Sequence, residues 1–142
     1  SPNELRLKLG SIFPMAKNRN IQIILQSFSF RSGSPSGLDM VFDCRFLKNP
    51  NWEDNLKTLN GTDTEVKDYL HKDESWASFS ESLIQMMSTV IPSFEREGKS
   101  YLSIGLGCTG GQHRSVFVAE QLYNYLLEKN CDVKILHTIL QR

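Results

Sequence analysis

Hydrophobic and polar residues follow one another along the chain in blocks that predict strands separated by helices. Continuous or alternating apolar runs rich in Ile, Val and Phe predict strands, whereas apolar residues that recur every three or four positions predict amphipathic helices. The predicted strands are Ile21–Phe30, Met40–Phe46, Tyr101–Leu106 and Cys131–His137, and the predicted helices are Thr64–Leu70, Ser75–Arg96 and Gln112–Lys129. This order favours an α/β fold, a single layered domain with a mostly parallel sheet flanked by helices.

The segments between these blocks are rich in Gly, Pro, Asn and Ser, which is typical of turns and loops. Ser1–Glu4 has the capping residues of a helix start and Lys17–Asn20 predicts a polar turn, so residues 1–19 are expected to form an N-terminal helix and turn on the linker side. Leu47–Asp63 predicts a long irregular segment, which in a compact domain is usually functional or disordered. A chain that opens inside structured sequence without Met suggests a processed product or an excised domain, and we favour excision.

Composition and charge narrow the class of protein. The 142 residues, 39% of them hydrophobic, suffice for one compact domain spanning residues 1–142. Sixteen basic and sixteen acidic residues cancel, so the chain as a whole offers no general attraction to nucleic acids or anionic membranes. No apolar run approaches the roughly 20 residues of a membrane span, which predicts a cytoplasmic protein with no membrane partner. Three cysteines without metal-ligand spacing predict reduced thiols and no metal site, and we predict no cofactor.

The segment Tyr101–Ser115 combines a strand, a glycine-rich loop and a helix start, and this combination predicts an anion site. Glycines let the loop backbone approach a ligand closely, while the helix directs free N–H groups and its positive dipole end to the same place. His113 and Arg114 add a switchable and a permanent positive charge. Cations at a helix N-terminus oppose the macrodipole, so their presence favours a bound anion. The candidate ligand-binding residues here are Cys108, Thr109, Gly110, Gly111, His113 and Arg114.

The same loop supports an enzymatic alternative. Cys108, Arg114 and Ser115 reproduce the Cys-x5-Arg-Ser pattern of cysteine-dependent phosphatases, in which a thiolate attacks a phosphoryl group held by the arginine. Such an enzyme needs an acid for the leaving group, and Asp43 and Asp39 are the candidates. Cys108 as an inert small residue at the strand end is at least as good an interpretation. The P-loop pattern G-x-x-x-x-G-K-[ST] does not occur, so we expect no site for nucleotide hydrolysis in this domain. We also expect that this domain is not an enzyme.

Asp43 and Arg45 form a second candidate cluster at the carboxyl end of a predicted strand, where ligands of parallel sheets collect. Asp43 could accept a hydrogen bond from an amine or hydroxyl, and Arg45 could take a phosphate oxygen. Alternatively, the two residues pair with neighbours and lock the strand. Arg31, in the loop after the first strand, and Asn51 are weaker ligand-binding candidates.

Three separated blocks resemble the C-terminal domain of the RapZ family, bacterial RNase adapter proteins that are also described as nucleotide-binding. The blocks are VFDCRFLKNPNW, LNGTDTEVKDYL and GCTGGQHRSVFVAEQL. The resemblance implies a C-terminal half, since family members carry an N-terminal P-loop domain that is absent here and to which any nucleotide hydrolysis would belong. It also implies a fold similar to a sugar-phosphate-binding half of phosphofructokinase, and self-association into a homo-oligomer.

The resemblance implies a sensor of glucosamine 6-phosphate that binds small RNAs and presents them to an RNase. The sugar-phosphate residues implied by the resemblance are Asp43, Arg45, Thr109, Gly110, His113 and Arg114. Gln112 stands where many members have Lys, Asn51 where well-known members have His, and Ser32 where His or Tyr is common. The tail Lys134–Arg142 is poor in the Lys and Arg that resembling RNA binders cluster there. Because phosphate contacts dominate RNA affinity, this tail predicts weaker RNA binding.

Overall fold

The computed structural model describes residues 21–140 of the chain. The predicted helix start at Ser1–Glu4 and the predicted turn at Lys17–Asn20 lie outside these residues. Within the described range, no helix is both long enough and apolar enough to cross a lipid bilayer.

Four strands form one parallel sheet, as the sequence predicted. The strands are β1 (Gln22–Ser29), β2 (Met40–Asp43), β3 (Tyr101–Cys108) and β4 (Asp132–His137). Their order across the sheet is β2-β3-β1-β4, and each neighbouring pair runs parallel. Because the strands are parallel, the loops that follow β1, β2 and β3 all emerge at the same edge of the sheet.

Three α-helices flank the sheet: α1 (Thr64–His71), α2 (Glu74–Arg96) and α3 (Arg114–Glu128). A short 3-10 helix, Pro50–Trp52, interrupts the segment between β2 and α1. The start of α2 is capped by Asp73, whose carboxylate accepts a hydrogen bond from Ser75 N–H at 2.9 Å. After α2, Gly98 adopts a φ of +86°, which favours glycine and turns the chain towards β3.

The core lies between the helices and one face of the sheet. Leu102, Ile104 and Leu106 alternate along β3 and are fully buried, together with Phe117 of α3. The alternation follows from the period-two geometry of a strand, which places every second side chain on the helix-covered face. Each such side chain contributes about 1.5–3 kcal/mol on burial, so this layer holds α3, and with it the loop before α3, against the sheet.

Some predicted boundaries were wrong, and long-range hydrogen bonds explain the differences. The strand predicted to reach Phe46 ends at Asp43, because the chain turns after Cys44, whose carbonyl accepts from Leu47 N–H. The strand predicted to end at Leu106 continues to Cys108, since Phe30 N–H donates to its carbonyl at 2.9 Å and keeps it paired with β1.

The helix predicted to begin at Gln112 begins at Arg114. Gln112 and His113 are instead held by hydrogen bonds to the segment between β2 and α1, described below. That segment, predicted to be irregular over residues 47–63, consists of turns and the 3-10 helix.

Candidate functional site

A polar cavity of about 190 Å³ lies where the glycine-rich loop joins α3, at the carboxyl edge of the sheet. We call it the loop cavity. Its lining consists of Arg31, Asn49, Asn51, Cys108, Thr109, Gly110, Gln112, His113 and Arg114. Among the described residues that line it there are two arginines and no carboxylate. The predicted loop residues Cys108, Thr109, Gly110, His113 and Arg114 therefore share one cavity with the weaker candidates Arg31 and Asn51.

The loop itself is pinned to the end of β1. Ser29 Oγ donates to the Thr109 carbonyl at 2.6 Å, and Arg31 N–H approaches the same carbonyl at 3.4 Å. Gly111 has a φ of +71°, and a Cβ there would lie 2.6 Å from Ile139 Cγ1 and 2.9 Å from Ser29 N. Only glycine satisfies both the dihedral angle and the close packing, so this turn depends on Gly111.

The N-terminus of α3 faces the cavity, and its N-cap residue supplies no capping hydrogen bond. His113 occupies the N-cap position but makes no side-chain cap hydrogen bond, and the first turn contains no acidic residue. A helix N-terminus carries free N–H groups and roughly half a positive charge, which an anion stabilises. Arg114, the first residue of α3, adds a further positive charge instead of a compensating negative one.

Arg114 is also a structural residue, which the sequence did not indicate. Its side chain is only 6% exposed, and its Nη1 donates to the carbonyls of Arg45 at 3.0 Å and Leu47 at 3.1 Å. Its Nη2 lies 3.5 Å from Thr109 Oγ1, at the limit of a hydrogen bond. One edge of the guanidinium thus holds the chain after β2, while the Nη2 group is directed to the hydroxyl that lines the cavity.

His113 serves to anchor a neighbouring segment. It is buried, and its Nε2 lies 3.0 Å from the Leu56 carbonyl; because a carbonyl only accepts, Nε2 carries the proton. Burial lowers the pKa of His113 from its ordinary value of 6.5, so the ring is neutral at physiological pH. The sequence predicted that His113 supplies a switchable positive charge, and the structure corrects this prediction. His113 lines the cavity as a neutral hydrogen-bond donor.

Gln112 and Gly61 complete this contact between the loop and the segment before α1. Gln112 Nε2 donates to the carbonyls of Lys57 at 2.9 Å and Leu59 at 2.6 Å, while Gly61 N–H donates to the Gln112 carbonyl at 3.0 Å. Sequence reasoning missed this interface. The glycine in the LNGTD block was a usable signal, since its Cβ position is occupied by the backbone at the start of α3.

Asp43 and Arg45 lie close to the loop cavity but are not among its lining residues. Their side chains form an exposed ion pair of 2.7 Å, and the Arg45 guanidinium stacks over Phe30 at 4.2 Å from the ring centroid. The hydrogen bond from the Arg45 side chain holds the pKa of Asp43 below its ordinary value. In the structure the two residues therefore pair with each other just after β2, which is the alternative arrangement given above. Direct contact of either side chain with a ligand stays a prediction.

Cys108 is 2% exposed, and its sulfur is held by the start of α3. Ser115 N–H donates to Sγ at 3.3 Å, and Sγ lies 3.1 Å from Ser115 Oγ. Both acids predicted for a phosphatase bond to other groups. Asp39 accepts from Ser103 N–H at 2.9 Å, in the first half of β3, whereas Asp43 is paired as described. The neighbouring thiol of Cys44 is inert, since burial raises its pKa.

Comparisons with known proteins agree with this architecture. The family model for the RapZ C-terminal domain matches residues 21–141. A nucleotide-binding protein of Dinoroseobacter shibae is 45% identical over 142 residues, which are the whole of this chain and 47% of that protein. A nucleotide-binding protein of Cereibacter sphaeroides is 44% identical over the same length, again 47% of that protein. A nucleotide-binding protein of Citrifermentans bemidjiense is 46% identical over 117 residues, 82% of this chain and 41% of that protein.

The chain spans about half the length of the curated relatives that it matches, so these relatives contain a further part not represented here. The family match covers β1 to β4 and every residue that lines the loop cavity. The chain belongs to the RapZ C-terminal domain family.

Proposed function

We propose that this domain binds a phosphorylated small metabolite in the loop cavity and acts as a ligand-sensing domain that does not turn the ligand over. One observation carries the proposal: two arginines and a helix N-terminus with no acidic residue in its first turn meet at a cavity with no carboxylate among the described residues that line it. Such an arrangement costs stability when empty and gains it when an anion is bound.

The size and lining of the cavity support a small, polar ligand. A volume of about 190 Å³ is below the roughly 300–1,000 Å³ of sites for drug-sized ligands. Thr109 Oγ1 and Arg114 Nη2 suit a phosphate oxygen, since both residues line the cavity and the two atoms lie 3.5 Å apart. The Asn51 amide and the Gln112 Oε1 can bond hydroxyl or amino groups, whereas the Gln112 Nε2 already donates to the Lys57 and Leu59 carbonyls. An amino-sugar phosphate such as glucosamine 6-phosphate, the ligand that the family resemblance implies, fits this chemistry.

Calorimetry with matched variants tests the proposal. We expect saturable binding of inorganic phosphate and of glucosamine 6-phosphate, but not of glucosamine. Arg31→Ala is the diagnostic variant, because Arg31 lines the cavity and is exposed, so its loss leaves the fold intact. We expect about threefold to tenfold weaker phosphate binding.

Arg96→Ala is the matched control, since Arg96 is an exposed arginine in the last turn of α2, shortly before the start of β3, whereas the loop cavity lies at the end of β3. It should bind phosphate as the native protein does. Absence of saturable binding of any phosphorylated compound by the native protein would contradict the proposal.

A second candidate, a cysteine-dependent phosphatase, is favoured by one contact. Ser115 N–H donates to Cys108 Sγ at 3.3 Å and the thiol donates to Ser115 Oγ at 3.1 Å, so the thiol is held at a helix N-terminus, where catalytic cysteines are commonly found. Incubation with an aryl phosphate separates the two candidates. Release of the phenol by the native domain but not by Cys108→Ser would support the enzyme, whereas an inactive native domain would exclude it.

The partners of the full-length protein are proposed from the family resemblance and not from the loop cavity, because this chain spans only about half the length of its relatives. The resemblance supports an N-terminal P-loop domain, a small RNA, an RNase and a homo-oligomer as candidates. The relatives are named nucleotide-binding proteins, and transfer of that property to this chain rests on the same phosphate chemistry. Titration of the domain with a small RNA at two salt concentrations tests the RNA candidate, since phosphate-driven affinity falls steeply as salt rises.

A further inference from the structure

The side chain of Trp52 is exposed to solvent, and the residue before it in the chain lines the loop cavity. Trp52 is 74% exposed, more than any other large hydrophobic residue in the described part of the chain. Its neighbour Asn51, and Asn49 three residues before it, both line the cavity. Single exposed hydrophobic residues are common and need no explanation by themselves, so the position of Trp52 relative to the cavity is what matters.

The backbone holds Trp52 in a defined place. Trp52 N–H donates to the Asn49 carbonyl at 3.0 Å and closes the turn of the 3-10 helix. Asn49 Oδ1 caps that helix by accepting from Asn51 N–H at 3.0 Å, and Pro50 is buried. A 3-10 helix has three residues per turn, so side chains at i and i+3 lie on the same side. This periodicity places Trp52 on the same side of the helix as Asn49, which lines the cavity, although Trp52 is not itself a lining residue.

We propose that Trp52 is a stacking platform that makes the site selective for phosphorylated ligands with a ring. The phosphate would occupy the loop cavity, and the flat face of the attached ring, a sugar or a nucleobase, would lie against the indole. This inference rests on the proposed function, because it needs the phosphate to be bound at Arg31 and Arg114. Stacking on Trp52 would let the site distinguish ligands with a ring from ligands without one. The charged cavity alone does not do this, since guanidinium groups and N–H donors recognise the phosphate whatever is attached to it.

The geometry gives the platform a specific role. The described residues that line the cavity include no Phe, Tyr or Trp, so the cavity itself supplies polar groups but no large aromatic face. A ligand ring that reaches Asn49 and Asn51 would meet the next residue along the chain, Trp52, whose exposed side chain offers a large apolar surface. Stacking of a ring on an aromatic side chain is tolerant of the ring's identity, because the attraction is to a flat face and not to particular hydrogen-bonding groups.

The test measures the affinity of four compounds for the native protein and for Trp52→Ala: inorganic phosphate, glycerol 3-phosphate, glucosamine 6-phosphate and adenosine monophosphate. The first two lack a ring. We expect Trp52→Ala to weaken binding of at least one ring compound about tenfold, and to leave phosphate and glycerol 3-phosphate unchanged. Whichever ring compound is affected identifies the sugar or the nucleobase as the stacked group. Tyr101→Ala is the control, since Tyr101 is 59% exposed and lies at the opposite end of β3 from the cavity.

Fluorescence provides a second readout. The chain has two tryptophans, and Trp76 is buried against Phe117 with a ring-centroid distance of 4.8 Å. A ring-bearing ligand should change the emission of the native protein, and Trp52→Phe should abolish the change while retaining the emission of Trp76.

The outcomes separate the inference from the proposed function. If the native protein binds phosphate but Trp52→Ala binds all four compounds as the native protein does, the stacking role of Trp52 is wrong, whereas the proposed phosphate site is retained. An equal loss for all four compounds would also overturn the platform, because it would indicate a change in the cavity itself. If the native protein binds none of the four, the proposed function fails first and the inference fails with it.

Discussion

Replacing Arg114 by methionine should destabilise the fold even when no ligand is present. Methionine retains the length and apolar stem of the side chain but removes every donor. In the native protein Nη1 donates to the carbonyls of Arg45 and Leu47. Without the guanidinium, these carbonyls lose their partner, and the chain after β2 loses its connection to α3.

The magnitude follows from the burial of the two acceptors. A hydrogen bond from a charged donor contributes about 1.5–3 kcal/mol. The bond to Leu47 is buried and counts in full, whereas the bond to Arg45 is part-buried and water replaces some of it. We therefore expect Arg114→Met to lower the free energy of unfolding by about 3 kcal/mol. For a domain of this size that corresponds to a decrease in Tm of roughly 10 °C.

Urea unfolding at pH 7, followed by far-UV circular dichroism in phosphate-free buffer, measures this change. Arg31→Met is the matched control: it removes the other arginine of the cavity, which is exposed, and should leave the free energy of unfolding unchanged. Phosphate at a hundred times its Kd should then stabilise the native protein by about 2.7 kcal/mol, and Arg114→Met much less. An Arg114→Met protein within about 1 kcal/mol of the native protein in phosphate-free buffer would refute the structural role assigned to these two hydrogen bonds.

Two further predictions concern the contact between the loop and the segment before α1. Gly61→Ala should destabilise the fold by about 2 kcal/mol or more, because the new Cβ would lie against the His113 carbonyl and 2.5 Å from Phe117 N; Gly110→Ala, which meets nothing within 4 Å, is the thermal-melt control. His113 has a lowered pKa, so its neutral form stabilises the fold fully above pH 6.5, and this stability is lost as the pH falls below 6.5 towards the folded pKa. The difference in the free energy of unfolding between the native protein and His113→Gln should shrink over that range, and a constant difference from pH 7.5 to pH 5 would contradict the assignment.

Much of the fold could be predicted from local patterns. The four strands and three helices were predicted from hydrophobic periodicity, and their alternation predicted a parallel sheet with the ligand edge at its carboxyl end. The glycine-rich loop before α3 was identified by residues adjacent in sequence; Cys108, Thr109, Gly110, His113 and Arg114 line one cavity, whereas Gly111 does not and instead packs against Ser29 and Ile139. Signals of this kind are local, because dihedral preferences and periodicity act over a few residues.

Only the tertiary structure decided what each charged or polar residue of the site does. Arg114 bonds to carbonyls 69 and 67 residues away, and His113 bonds to one 57 residues away. No local pattern encodes these partners, because they depend on which loops the strand order β2-β3-β1-β4 brings together. The sequence by itself determined where a strand, a glycine-rich loop and the N-terminus of α3 meet. The packing of the chain after β2 against that loop determined that Arg114 supports the fold, that His113 is neutral, that Asp43 and Arg45 pair with each other, and that Trp52 is exposed next to a residue that lines the cavity.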